Sequence, residues 1–178
     1  MRIISGKYKG RRLQPPAGDI RPTLDRVRET LFDIIQFDVP GSVFLDLFAG
    51  SGAVGIEAIS RGAKEVYFCE NNRTSRTVLS KNLEITGAAK VYECDYRVAL
   101  KSFVSGSLDF VYLDPPFESN FGVDALNTIG KQKLLKNAGV VIFEHPRIEV
   151  TNNEIEGLSL QREKEIGSIK LSFYRRKL

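Results

Sequence analysis

The chain has 178 residues, 42% hydrophobic and 27% charged, with a net charge of +4. That fits one globular domain with a sizeable core and excludes disordered and collagen-like chains. No apolar run is long enough to span a membrane, two cysteines (Cys69 and Cys94) are too few for a disulfide framework and lack metal-site spacing, and the start has no secretion-signal layout. A cytoplasmic protein without metal is expected, and a monomer.

The charge is uneven. Residues 1–30 carry eight basic side chains against three acids, a net +5 that leaves the remaining chain near −1. A basic arm on a near-neutral body points to a polyanionic partner such as nucleic acid. The stretch Arg2 to Gln14, with glycines at its centre, reads as a small hairpin closed by Pro15-Pro16-Ala17-Gly18. Leu24, Val27, Leu31 and Ile34 then recur at helical spacing, with Pro22 and Thr23 where a helix starts. The expected organisation is a hairpin arm over 1–20 and one domain over 21–178.

From residue 42 strands and helices alternate. Strands are expected at Val43–Phe48, Glu65–Glu70, Lys90–Cys94, Leu108–Leu113 and Val140–Glu144. Helices are expected at Gly52–Arg61, 73–86, after Cys94 to about Phe103 and near 122–136. This order predicts an α/β fold with a mostly parallel sheet and helices on both faces. Two further strand-like runs, Leu158–Ile166 and Ile169–Arg175, flank Gly167-Ser168 and predict an antiparallel hairpin that enters the sheet. The expected sheet has seven strands.

Asp46-Leu-Phe-Ala-Gly50-Ser-Gly52-Ala-Val-Gly55 follows the first strand and opens a helix, and Glu70 ends the second strand twenty residues after Gly50. This is the dinucleotide-fold arrangement: glycines let a ligand approach the backbone, and the acid accepts from ribose hydroxyls. NAD and S-adenosylmethionine both carry adenosine and both suit it. An acid ahead of the loop, Asp46, suits a ligand with an amine and a cation. Asp95 reads equally as an acceptor for the adenine amine and as a helix N-cap. Both cysteines read as small apolar packing residues.

Val111-Tyr-Leu-Asp114-Pro115-Pro116-Phe117-Glu118 ends the fourth strand on a rigid corner. In a doubly wound sheet that strand lies beside the first, so the corner faces the glycine loop. A flat substrate with an exocyclic amine fits it. Asp114 and the Pro115 carbonyl supply two acceptors, and Phe117 supplies a stacking face. No metal or nucleophile is needed. The single histidine, His145, follows the fifth strand. It reads as structural filling, as part of a base pocket, or as a base.

Asp114 to Phe117 after the fourth strand, with Asp46 to Gly52 at the first, resembles the amino-methyltransferases of the Rossmann-like class that use S-adenosylmethionine. Arg21-Pro-Thr-Leu-Asp-Arg-Val-Arg-Glu-Thr-Leu-Phe32, the hairpin with Gly10-Arg-Arg-Leu13 and the length are similar to the bacterial family that methylates guanine N2 in small-subunit (16S) ribosomal RNA. The family often has two glycines before the hairpin turn, where this chain has Ser5-Gly6. The resemblance implies that Asp46, Phe48, Ala49, Gly50, Ser51, Gly52, Glu70, Asn71, Asp95, Tyr96 and Thr23 hold S-adenosylmethionine. It implies that Asp114, Pro115, Pro116 and Phe117 form the catalytic corner. Arg2, Lys7, Lys9, Arg11, Arg12, Arg21, Arg26 and Arg28 would grip 16S ribosomal RNA, within an assembled or partly assembled small ribosomal subunit. The alternatives are an adenine-N6 methyltransferase, which shares the corner; an NAD-dependent oxidoreductase, which does not need it; and an RNA-binding module without catalysis.

Overall fold

The computed structural model describes residues 1–15, 25–87, 90–116, 119–149 and 151–177. In chain order the elements are α1 (Asp25–Ile35), β1 (Val43–Asp46), α2 (Ala53–Ser60), β2 (Glu65–Cys69), α3 (Arg73–Leu83), β3 (Lys90–Tyr92) and α4 (Tyr96–Leu100). There follow β4 (Leu108–Leu113), α5 (Phe121–Lys131), β5 (Leu135–Pro146), β6 (Glu154–Ile155), β7 (Leu158–Ile166) and β8 (Ile169–Arg176).

One sheet runs β3-β2-β1-β4-β5-β8-β7-β6. Its first five strands are parallel, and β8, β7 and β6 join antiparallel. The fold is the expected Rossmann-like α/β sheet. It carries one strand more than expected, because the two-residue β6 pairs with β7 at the far edge; so short a strand leaves no alternation to read.

Strand side chains alternate between two cores. Phe44, Phe110, Tyr112 and Ile142 face α1 and α2 on one side. Leu45, Val111, Leu113, Val141 and Phe143 face α4 and α5 on the other. Each fully buried large side chain contributes about 1.5–3 kcal/mol, so strands buried on both faces hold the central sheet. Helix α2 lies close to it because Gly55 has no side chain: a Cβ there would meet the Phe68 ring at 2.3 Å. Helix α3 starts where the Asn72 side chain accepts from Thr74 N and Ser75 N.

The helix expected near 122–136 ends at Lys131 instead. Lys133 turns left-handed at φ 53°, and Leu134 and Leu135 are buried, so the chain enters β5 five residues earlier than expected. A register shift in the β4–β5 pairing absorbs the Lys136–Gly139 segment. The β7–β8 hairpin turns where predicted, with Gly167 at φ 62° in the two-residue turn, and β8 runs one residue further than expected, to Arg176.

Residues 1–15 close as a small loop with a single antiparallel bridge, Arg2 to Arg12. Ile3 N donates to Arg11 O (3.0 Å) and Gly10 N to Ile3 O (2.9 Å). Ile3 and Leu13 sit in the same core as α1 and α2, so this loop packs as part of the body.

Candidate active site

The order of strands reverses between β1 and β4, which pair in register from Phe44–Phe110 to Asp46–Tyr112. Leu47 N then donates to Tyr112 O (3.0 Å). The glycine loop after β1 and the Asp114-Pro115-Pro116 corner after β4 therefore leave the sheet side by side at the switch point, where open α/β sheets bind ligands.

The loop is tightly held. Ala49 N donates to Cys69 O (2.9 Å) and Gly52 N to Ala49 O (2.7 Å). Gly50 and Gly52 are left-handed at φ 54° and 79°. Open space surrounds the Gly50 Cα where a side chain would stand, as a backbone approached by a ligand requires. Glu70 Oε2 accepts from Gly50 N (2.8 Å) and Oε1 from Asn72 N (2.7 Å). That fixes the carboxylate at the end of β2 and leaves further lone pairs for a ribose diol. Asn71 is exposed beside it, Ser51 and Ala49 are buried, and Phe48 is half-buried.

Asp46 is 1% exposed, and its Oδ2 accepts from Gly55 N (3.0 Å). Burial pushes its carboxyl up to about 7; the charges of Asp114 and Glu70 act in the same sense, and the Gly55 bond opposes them. Three carboxylates thus converge, an arrangement that suits a cationic ligand with hydroxyls.

Asp95 caps α4, accepting from Arg97 N (2.9 Å), and stays half-buried; the cap is real and the carboxylate is still presented. Next to it the Tyr96 ring lies between Phe48 (ring centroids 5.0 Å) and Phe121 (5.5 Å), tilted against both. The Tyr96 hydroxyl donates to Asp124 Oδ2 (2.6 Å), and burial with that bond raises its pKa. Phe121 and Asp124 were not singled out from the sequence; their helical spacing alone does not separate them from an ordinary face.

At the corner, Asp114 is half-buried, Pro115 buried and Pro116 exposed. Helix α5 packs tightly behind it: a Cβ on Gly122 would meet the Phe143 ring at 2.4 Å and Pro115 Cγ at 3.2 Å. Under the corner the Tyr112 hydroxyl donates to Glu144 Oε2. His145 is buried; its Nδ1 lies 3.0 Å from Pro146 O and its Nε2 2.8 Å from Ser172 Oγ. Burial lowers its pKa. With both nitrogens engaged inside the chain, neither is free to act as a base, and the ring packs against Phe143 at 4.7 Å between centroids.

The expected RNA-gripping residues divide. Arg2, Lys7, Lys9, Arg11, Arg12 and Arg26 are exposed, with Lys7 and Arg11 flanking the Tyr8 ring at 5.2 and 5.8 Å. Arg28 is a correction: it is 0% exposed, and its guanidinium donates to Arg2 O (2.5 Å) and Asp25 Oδ1 (2.9 Å). It ties α1 to the N-terminal loop and presents nothing to a partner. The expected helix stripe of Val27, Leu31 and Ile34 is realised as Val27, Leu31 and Ile35, which turns Arg28 inward. Thr23, Arg21 and Phe117 lie outside the described residues, as do Pro22 and Leu24.

Two residues with no expected role anchor the basic loop. The buried Glu57 carboxylate of α2 accepts from Ile4 N (2.8 Å) and Ser5 N (2.9 Å) and pairs with Arg61 Nε (2.8 Å). Buried Asn82 accepts from Gln14 N (2.7 Å) and donates to Gln14 O (3.0 Å) and Ser51 O (2.9 Å), joining the basic loop to the glycine loop. A lone acid inside the apolar helix Ala-Val-Gly-Ile-Glu57-Ala-Ile was the available signal.

Sheet order, glycine loop and corner together define an S-adenosylmethionine-dependent methyltransferase of the Rossmann-like class. Its relatives narrow that class. A family described as Conserved hypothetical protein 95 matches residues 1–175, and this chain belongs to it. YlbH of Bacillus subtilis (strain 168), named provisionally as an rRNA methyltransferase, is 36% identical over 183 residues, covering 99% of this chain and 100% of its own. Ribosomal RNA small subunit methyltransferase D of Escherichia coli (strain K12) is 32% identical over 179 residues, covering 99% of this chain and 90% of its own. The solved structure of yhhF from Escherichia coli, described provisionally as a methyltransferase, superposes with a TM-score of 0.87 at 31% identity, covering 100% of this chain and 98% of that one.

Proposed function

We propose that this protein methylates the exocyclic N2 amine of a guanine in 16S ribosomal RNA, within an assembled or partly assembled small subunit. The observation that carries the reading is the Asp114-Pro115 corner standing beside the glycine loop at the β1–β4 switch point. S-adenosylmethionine supplies an electrophilic methyl group when bound. Asp46, Glu70 and Asp95 fit its ammonium, ribose and adenine groups in that order, and open space at Gly50 fits a close approach.

The rest falls to the chain. The Asp114 carboxylate and the Pro115 carbonyl each accept an N–H from the amine, which fixes the nitrogen lone pair in one direction. As nitrogen forms its bond to the methyl carbon it gains positive charge. The two acceptors stabilise that charge, and Asp114 takes the proton the nitrogen must lose. The exposed basic loop binds phosphates, which sets affinity and salt dependence and leaves base choice to the corner.

The test is labelled S-adenosylmethionine incubated with small subunits lacking the modification and, in parallel, with naked RNA, followed by identification of the labelled nucleoside. N2-methylguanosine from subunits supports the reading. N6-methyladenosine keeps the corner chemistry and overturns the base, and no label in either sample overturns the substrate.

A further inference from the structure

Behind the corner lies a cleft at the carboxyl end of β5. Pro115, Pro116, Phe143 and Pro146 are its apolar lining, and its polar side chains are Ser119, Glu144, His145 and Glu149. Three of these four are committed inside the chain. Ser119 Oγ donates to Pro116 O (2.7 Å), Glu144 receives the Tyr112 hydroxyl, and both His145 nitrogens are engaged.

Glu149 differs. The residue is half-buried, and among the described residues its carboxylate makes no hydrogen bond or ion pair. The turn that carries it is nevertheless tied down. Glu149 N donates to Pro146 O (3.0 Å), Arg147 N to Ser168 O (2.8 Å), and Arg147 Nε lies 3.5 Å from Glu165 Oε2. A fixed backbone therefore presents a carboxylate to a cleft that Pro115 and Pro116 of the corner also line.

We propose that Glu149 is a specificity residue that accepts the N1–H of the target guanine, which makes the cleft selective for guanine over adenine. This rests on the guanine-N2 reading above. On guanine the N1–H sits next to the N2 amine on the same edge, so a base held by its amine at Asp114 turns its N1 position to the neighbouring wall. Guanine offers a donor there, and a carboxylate accepts it in a charge-assisted hydrogen bond. Adenine has a lone pair at N1, which a carboxylate repels. A good base-edge contact is worth about 10- to 100-fold in discrimination.

The experiment compares wild type and Glu149→Gln on small subunits reassembled with guanine or 2-aminopurine at the mapped target position. 2-Aminopurine keeps the 2-amine and loses N1–H. Wild type is expected to show kcat/KM about 10- to 100-fold lower on 2-aminopurine. Glu149→Gln is expected to lose about as much on guanine, to treat the two bases within about 3-fold, and to bind S-adenosylmethionine as wild type does. Equal wild-type rates on both bases, or full discrimination kept by Glu149→Gln, overturn the assignment, and so does a loss of cofactor affinity in the variant. Failure of the guanine reading shows separately: wild type then yields N6-methyladenosine before any analogue is built.

Discussion

Asp46→Asn is expected to stabilise the ligand-free protein while removing its affinity for S-adenosylmethionine. The Asp46 carboxyl is held up to about 7 from an ordinary 3.8, first by burial and then by the charges of Asp114 and Glu70. Between those two values the folded protein keeps a proton that the unfolded chain has lost. Stability therefore falls as pH rises across that window and is flat above it. At about 1.4 kcal/mol per pH unit, ionising this buried group costs the fold roughly 4 kcal/mol above neutral pH. An asparagine has the same shape, still accepts from Gly55 N through Oδ1, and cannot ionise. Its advantage is expected to be small at acid pH, to widen through neutrality, and to reach a rise of roughly 8–16 °C in Tm for a domain of this size. The assay is thermal and urea unfolding of both proteins at a series of pH values, with calorimetric titration of the cofactor. An advantage that does not change with pH, or no advantage under alkaline conditions, refutes the account of Asp46; unchanged cofactor affinity refutes its assignment to the ligand's cationic end.

Asp114→Ala is expected to lower turnover by about 100-fold or more, as loss of a transition-state acceptor does, with cofactor affinity kept; an equal loss of cofactor binding in titration contradicts this division of roles. Changing Arg11 and Arg12 to Gln is expected to weaken RNA binding and to reduce the slope of log K against log salt by about 0.7–0.9 for each phosphate no longer neutralised; an unchanged slope moves the RNA surface elsewhere. Gly6→Ala is expected to displace the basic loop, because Gly6 has φ 81° and a Cβ there would lie 1.8 Å from Ser60 O. RNA affinity measured by filter binding should fall about tenfold or more with cofactor affinity intact, and normal RNA affinity shows that the loop's position is unimportant.

Local chemistry was legible where it acts over a few residues. The bounds of β4 follow from an apolar run, the β7–β8 turn follows from Gly167-Ser168 between two strand-like runs, and the glycine loop follows from its spacing. The start of β5 was hidden, because Lys136-Asn-Ala-Gly139 has the composition of a turn and sits in the bulged part of the pairing. Arg28 misled for a different reason. Charge is read from the sequence as exposure, yet this guanidinium is buried, with one nitrogen bonded to Arg2 O and Asp25 and the other two without a hydrogen-bond partner among the described residues. Glu57, Asn82 and Glu149 show the general limit. Their roles depend on partners up to 68 residues away or on a cleft shared by two strands, and no window of sequence contains those relations.

The buried anchors bear on the substrate. Helix α2 begins with the Gly55–Asp46 bond at the cofactor loop and two residues later receives the basic loop on Glu57. Asn82 closes the same connection from α3, joining Gln14 to Ser51. The basic side chains and the glycine loop, which leaves the sheet beside the Asp114-Pro115-Pro116 corner, are thus held by one hydrogen-bonded frame rather than by a tether. A frame of this kind meets phosphates and a target base only where the RNA already holds them at a matching separation; a flexible strand would lose conformational entropy to reach both. That favours folded RNA as the partner, and it is why the subunit and naked-RNA samples of the labelling experiment are expected to differ, with the subunit the better substrate.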